Sequence, residues 1–333
     1  MRTILHSFGL TGDSRALAAR LNFTDVIEPA DIFNPMADRG KLDASNAYGL
    51  KLWLDISRYV RERGNTRWDA AFAAWKGGVA SHSALAGVFV YGDPECEMDA
   101  PGGYIAVAQE LRAAGVRTAA TFSHRVLNAG VGAAWLNYCS CEGIGVYTKW
   151  AGDGPVAGVT DAASTVSAFA SALAATGRSN TTQKWAFLQG FTDGEWGSIG
   201  VNAPPTKEDY AAVMAATSGW DAGYFGLAPS PNDINRLKTL GLNQSLHDEV
   251  AFANAAALGR PFVYPSRAMV RCGETFTFKC SIPGAVWSIE GVTDAEAYAT
   301  GVIRAGQQTD AAVVRAAIGA QSATAKMFIY REN

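Results

Sequence analysis

Cysteine and histidine are scarce in this chain of 333 residues, with five of the first and four of the second. Cys96, Cys139, Cys141, Cys272 and Cys280 are odd in number and irregularly spaced, so they do not make a disulfide framework. Cys139-Ser140-Cys141 is too isolated for a zinc knuckle, and the thiols read as small apolar groups, buried or half-buried. No metal and no organic cofactor is implied. Charge of one sign is lacking as well: 28 Lys and Arg stand against 31 Asp and Glu, for a net charge of −3. Without a basic run, nothing points to nucleic acid or to an anionic membrane surface as partner. No apolar run reaches the roughly 18 residues that a membrane-spanning helix needs, so no membrane insertion is expected. The opening Met1-Arg2-Thr3-Ile4-Leu5-His6-Ser7-Phe8 has neither the apolar stretch nor the small-residue cleavage site of a signal peptide. Two settings fit that: the cytoplasm, or release by another route such as lysis, as virion proteins are released.

What is present is apolar residue in quantity, 48% against 18% charged, enough for a sizeable core. Over residues 1–260 short apolar runs alternate with helical stretches. Strand-like runs fall at 3–8, 25–28, 50–56, 87–91, 117–122, 143–147, 184–188 and 222–227. Helices are expected at 14–21, from the third run to about Ser81 (with Trp68, Phe72 and Trp75 at helical spacing), at 103–114, at 161–175 and from Pro205 onward. Residues 29–47, rich in Asp, Asn and Gly, read as a loop. Eight strands alternating with helices over this length are what a (β/α)₈ TIM barrel requires. The rival, a doubly wound open sheet, expects a glycine fingerprint after the first strand, and Gly9-Leu10-Thr11-Gly12 is not one. From residue 262 to 333 the pattern changes to short alternating runs at 268–271, 275–280, 285–289, 301–304, 311–317 and 323–330, punctuated by Gly273-Glu274 and Pro283-Gly284. That pattern predicts a small all-β sandwich.

In a (β/α)₈ barrel the chemistry sits at the C-terminal ends of the strands. The fourth run ends in Tyr91-Gly92-Asp93-Pro94-Glu95-Cys96-Glu97. Alternation sets Tyr91 and Asp93 on one face, and Pro94 biases Asp93 toward an extended backbone, so that Glu95 continues on that face. Crowded carboxylates raise one another's pKa, which is how one becomes a general acid at neutral pH; a solvated acidic loop is the plain alternative. On the third run Lys51, Trp53 and Asp55 share a face, with Leu52, Leu54 and Ile56 opposite. Asp55 either supports a site or simply caps the next helix. The seventh run ends at Gln189, and Asp193-Gly194-Glu195-Trp196 follows. Glu195 is the best second carboxylate, beside an indole suited to stacking on a sugar. His6, Glu28, Ser123, His124, Tyr147, Lys149, Trp150 and Tyr224 complete the candidates for the mouth. Trp53, Tyr91, Tyr147, Trp150 and Trp196 together fit carbohydrate binding, although aromatics in barrels are also plain core.

The stretch Ser83-Ala84-Leu85-Ala86-Gly87-Val88-Phe89-Val90-Tyr91-Gly92-Asp93-Pro94-Glu95 resembles a pattern of glycoside-hydrolase-like barrels, in which an acid precedes a proline at the fourth strand end. Trp185-Ala186-Phe187-Leu188-Gln189-Gly190-Phe191, Pro205-Thr206-x-Glu208 and Gly223-Tyr224-Phe225 fit the same group. In this chain Asp93 holds the position before the proline and Glu95 follows it. The run from Val270 to Phe278, then Trp287-Ser288-Ile289, resembles bacterial immunoglobulin-like modules of surface and phage tail proteins. The resemblance implies an α/β chain: a barrel at 1–260 and an immunoglobulin-like sandwich at 262–333. The activity it implies is hydrolysis of glycosidic bonds in a cell-surface or other polysaccharide. Glu95 or Asp93 would protonate the leaving oxygen, and Glu195 or Asp55 would act as base or nucleophile. Asp55, Trp53, Tyr91, His124, Tyr147, Trp150, Gln189, Trp196 and Tyr224 would bind substrate. The alternatives are a glycan-binding barrel without catalysis and a structural virion or surface protein. Partners would be a poly- or oligosaccharide and, through the C-terminal domain, virion or surface proteins, in an extracellular or virion-associated setting.

Overall fold

The computed structural model describes residues 2–6, 12–92, 102–122, 124–127, 135–136, 141, 143–147, 162–177, 183–189, 215, 220, 222–226 and 244–331. The chain divides into two compact units, Met1–Lys238 and Thr239–Asn333.

In the first unit all eight expected runs are strands: β1 (Arg2–His6), β2 (Asp25–Pro29), β3 (Lys51–Asp55), β4 (Leu85–Gly92), β5 (Thr118–Phe122), β6 (Gly143–Tyr147), β7 (Gln183–Gln189) and β8 (Ala222–Gly226). Neighbours pair in chain order and in parallel, and β8 pairs back onto β1, so the sheet curls into a closed barrel. Helices lie between them: α1 (Gly12–Arg20), α2 (Pro35–Ala47), α3 (Ser57–Glu62), α4 (Thr66–Val79), α5 (Gly102–Ala113) and α6 (Ala162–Ala175). Inside the barrel Ile4, Ile27, Trp53, Ala86, Phe89, Ala119 and Trp185 form one packed cluster. Two indoles fit there because neighbouring strands are bare beside them. A Cβ on Gly87 would lie 2.4 Å from Cζ3 of Trp53, and one on Gly143 would lie 2.8 Å from Cε2 of Trp185.

The stretch 29–47 departs from its expectation, since it holds α2. Asn34 caps that helix, its Oδ1 accepting from the Ala37 amide at 3.2 Å, and Pro35 takes the first turn, where its missing N–H costs nothing. The polar composition conceals an inward stripe of Asp38, Leu42 and Ser45, all buried. Two of the three are polar because they accept hydrogen bonds inside. Asp38 takes the indole N–H of Trp75 at 2.7 Å, and Ser45 takes the Nε–H of Arg15 at 3.1 Å.

The second unit opens with α7 (Gln244–Ala257). Asp248 on this helix accepts from the amide and hydroxyl of Ser266 at 2.6 and 2.7 Å. The strands are β9 (Val263–Tyr264), β10 (Arg267–Arg271), β11 (Thr275–Thr277), β12 (Lys279–Cys280), β13 (Val286–Glu290), β14 (Glu296–Ala297), β15 (Val302–Arg304), β16 (Ala311–Ile318) and β17 (Gln321–Tyr330). They form sheets of order β10-β17-β16-β13, β11-β15-β14 and β12-β9, with β10 and β17 parallel. One core unites them, in which Val270, Phe278, Ile303, Val314 and Met327 are all buried. The expected strand 275–280 breaks at Phe278, whose side chain enters that core. Cys272 and Cys280 are free thiols, and Cys141 is buried, its Sγ accepting from the Tyr104 hydroxyl at 3.5 Å.

Candidate functional site

The C-terminal ends of β2 and β3 carry a concavity among the described residues of the barrel. It is a pocket of about 390 Å³ lined by Ala30, Asp31, Ile32, Phe33, Asp55, Ile56, Arg58, Tyr59, Arg67 and Trp68. Its volume and position are those of a small-molecule site on a parallel barrel.

Each wall is held by local chemistry. Past β2, the Ala30 amide donates to the Asp55 carbonyl at 2.8 Å, tying the two strand ends together. Asp38, fully buried, then fixes the turn: it accepts from the Asp31 amide at 2.8 Å, from Lys41 Nζ at 2.7 Å and from Trp75. Asp31 Oδ1 accepts from the Phe33 amide at 3.2 Å, which sets Phe33 on the rim with 44% of its surface exposed. Across the pocket, Asn65 caps α4 by accepting from the Arg67 amide at 3.1 Å, and so places Arg67 and Trp68 in the first turn. Phe33 and Trp68 meet edge to face at 4.8 Å. The Arg58 guanidinium lies 5.5 Å from the Trp68 ring centre and that of Arg67 lies 5.0 Å from Phe33. On the floor, Tyr59 stacks on Phe72 at 4.1 Å and donates its hydroxyl to Asp69 at 2.9 Å. Burial first, and the bond to Asp69 second, hold that phenol above its ordinary pKa of 10.0, so it stays neutral.

Asp55 is the titratable group at the centre. Burial raises its pKa from the ordinary 3.8, against the opposing pull of the Ser57 hydrogen bonds and the charge of Arg61. Its Oδ1 accepts from the Ser57 amide at 2.8 Å and from the Ser57 hydroxyl, which starts α3. Ile56 is the N-cap of α3 and makes no side-chain capping bond; Asp55 stands one residue earlier, holds the Ser57 amide and lines the pocket. A pocket lined by one carboxyl of raised pKa, two guanidiniums and two aromatics can bind a polar ring compound and exchange a proton with it.

Trp53 is a correction. It is 1% exposed, edge to face with Trp185 at 4.9 Å, and its indole N–H donates to Asp25 at 3.2 Å. It belongs to the barrel's packed interior, not to a sugar-stacking mouth. Glu28 is another: it is buried on the outer side of β2 in an ion pair with Arg15. Tyr91 lies next to the end of β4, but the pairing of β4 with β5 shifts between Phe89 and Tyr91, so simple alternation does not carry to the strand end. By backbone position Tyr147 and Gln189 are the last residues of β6 and β7, Tyr224 is mid-strand in β8, and His124 opens a single 3-10 turn after β5. Asp93, Glu95, Trp150, Glu195 and Trp196 lie outside the described residues, as do Ser123 and Lys149. In sequence Asp93 directly follows Gly92, the end of β4. Thr121, next to last in β5 and on the same strand face as interior Ala119, is fully buried with no partner for its Oγ1. Sequence reasoning missed Asp31, Phe33, Arg58, Arg67 and this use of Trp68. The available signal was position: Asp31-Ile32-Phe33 follows directly on the second strand end.

No family model matches the chain, and no curated protein matches it. Among solved structures, a GH18 chitinase from Pseudoalteromonas aurantia is 13% identical with a TM-score of 0.47, over 73% of this chain and 99% of that one. The PgaB (BpsB) glycoside hydrolase domain from Bordetella bronchiseptica is 11% identical with a TM-score of 0.45, over 75% and 98%. The YdjI aldolase from Escherichia coli K12 is 8% identical with a TM-score of 0.43, over 78% and 89%. At such low identities and scores none of these likenesses assigns an activity.

Proposed function

We propose that the first unit is a (β/α)₈ barrel of glycoside-hydrolase type that binds and cleaves a polysaccharide, and that the second is an immunoglobulin-like sandwich. The observation that carries this reading is the rim pocket, where a carboxyl of raised pKa at the end of β3 shares the lining with exposed Phe33 and half-buried Trp68. Sugar rings present C–H faces to aromatics and hydroxyls to charged groups, and this wall offers both. β3, which ends in Asp55, pairs with β4, whose end leads into the acidic stretch Asp93-Pro94-Glu95. In the proposed reaction Glu95 or Asp93 protonates the leaving glycosidic oxygen. A second carboxylate, Glu195 or Asp55, either activates water or attacks the sugar carbon. The spacing of the pair decides inversion or retention, with about 5–5.5 Å for a nucleophile and a wider gap for a water-activating base. Such a polymer would be met outside the cell or on a virion.

A second reading has its own observation. Oδ1 of Asp55 is already engaged by the amide and hydroxyl of Ser57, which suits a barrel that grips a glycan without cutting it. A reducing-end release assay separates the two, using bacterial capsular, lipopolysaccharide and peptidoglycan substrates with wild type beside Glu95→Gln and Asp93→Asn. Release that one variant abolishes is the expected result and identifies the acid. Retention of the same glycans without release would move the assignment to a binding barrel.

A further inference from the structure

We infer that the rim pocket selects a saccharide carrying an oxyanion group, a carboxylate or a phosphate, held by Arg58 and Arg67 while its ring lies against Phe33 and Trp68. This rests on the sugar-binding reading above and narrows it to a chemical class.

The argument is one of unmatched charge. Cations close by are paired: Arg63 and Lys76 with Glu110, Lys41 with Asp38. Arg58 and Arg67 line the pocket and make no ion pair among the described residues, and the hydrogen bond of Arg67 to Asn65 uses its backbone amide only. Their guanidiniums lie over aromatic rings. A cation held over a ring keeps its N–H groups for other acceptors, and a planar or tetrahedral oxyanion is the acceptor that the arginine fork matches best. Neither carboxyl of the pocket is in an ion pair with Arg58 or Arg67. Asp31 Oδ1 is turned to the Phe33 amide and Asp55 Oδ1 to Ser57. Burial also favours the neutral form of Asp55. A neutral sugar would meet two permanent cations with hydroxyls alone, whereas an acidic one supplies the missing counter-charge.

The test is isothermal titration calorimetry of the intact chain with three sets of oligosaccharides. These are galacturonate and hyaluronan oligomers, their carboxyl-reduced neutral counterparts, and phosphomannose oligomers. The expected result is an affinity for one acidic set at least about tenfold above the neutral set, as charge-assisted hydrogen bonds supply, weakening with added salt. In R58Q/R67Q the acidic set should lose at least about tenfold more affinity than the neutral set does. R58K/R67K keeps the charge without the forks and should retain the salt dependence at reduced affinity. Both side chains are exposed, and circular dichroism checks that the variants fold. The acidic set that binds names the anion. Equal affinity for acidic and neutral sets, or a preference surviving R58Q/R67Q, overturns the inference, and sugar release in the assay above would still leave the hydrolase reading standing. No binding by any set overturns the inference too, and absence of release as well would remove the hydrolase reading with it.

Discussion

Adding one methyl group at Gly87 and at Gly40 should change stability in opposite directions. The Cβ of Gly87→Ala would lie 2.4 Å from Cζ3 and 2.9 Å from Cε3 of Trp53, and 2.7 Å from the Arg117 carbonyl oxygen. None of these can step aside cheaply. Trp53 is wedged against Trp185 and anchored to Asp25, and the Arg117 guanidinium lies 5.7 Å from its ring centre. The carbonyl is backbone at the entry to β5, hydrogen-bonded to the Val88 amide at 2.8 Å. Overpacking a core costs about 1–3 kcal/mol, and a backbone contact puts this case at the upper end or beyond. A Cβ on Gly40, inside α2, meets nothing within 4 Å. There alanine gains helix propensity of about 0.8–1 kcal/mol. Urea unfolding of the intact chain, followed by tryptophan fluorescence, measures both. The midpoints should move in opposite directions at unchanged slope, since neither change alters the surface exposed on unfolding. In a thermal melt each kcal/mol corresponds to a shift of about 2–4 °C for a unit of this size. Gly87→Ala within about 0.5 kcal/mol of wild type would refute the packed interior that removes Trp53 from the candidate site.

Asp38→Ala should cost about 3–5 kcal/mol, because it strands the buried indole N–H of Trp75 together with the Asp31 amide and Lys41 Nζ. Hydrogen exchange at the Asp31 and Phe33 amides should speed up beyond that of the barrel strands, and unchanged exchange would detach Asp38 from the rim. Glu28→Gln should destabilise by about 3–5 kcal/mol by leaving Arg15 buried without its carboxylate, and adding Arg15→Met should recover most of the loss. A double variant no better than the single would refute that account. Asp55 predicts a pH dependence. Its folded-state pKa is raised, so the folded chain binds that proton more tightly than the unfolded chain does. The associated stability is present at low pH and is lost as pH rises from 3.8 through the folded value. Asp55→Asn should flatten that slope and gain on wild type toward neutral pH, as urea midpoints across the range would show. An unchanged slope would mean that burial does not govern the group.

The barrel was legible because a parallel sheet buried on both faces must be written as repeated apolar runs, and each of the eight runs became a strand. Strand ends were less legible where pairing slips, as at Leu52/Trp53 and at Phe89/Tyr91, because a bulge changes the face without changing the composition. The helix at 35–47 was missed because two of its three inward positions are Asp38 and Ser45, which hydropathy counts as surface. Polar residues can face inward only when their hydrogen bonds are met inside, and the partners, Trp75 and Arg15, lie far along the chain.

The same limit explains why strand alternation directs Trp53 to the mouth and says nothing of Phe33. Alternation says that a strand residue points inward, but not at which height in the barrel. The height of Trp53 shows in its neighbours. Gly87 pairs with it in β4, Gly143 makes room for Trp185 on β6, and Ala119 lies in the same cluster. Small residues on adjacent strands mark where large ones fill the interior, and a residue so enclosed has no face left for a ligand. A binding aromatic has to stand beyond the last ladder hydrogen bond, where no neighbouring strand can cover it. Phe33 stands four residues past the end of β2, and Trp68 is in the first turn of α4. Phe33 owes its placement to the turn held by Asp31, and Trp68 to the first turn of α4, which Asn65 caps. In the proposed site the sequence signature is therefore a short polar residue that accepts a nearby backbone amide, Asp31 or Asn65, with an aromatic two or three positions beyond it. The inward aromatics of the strands themselves report the core.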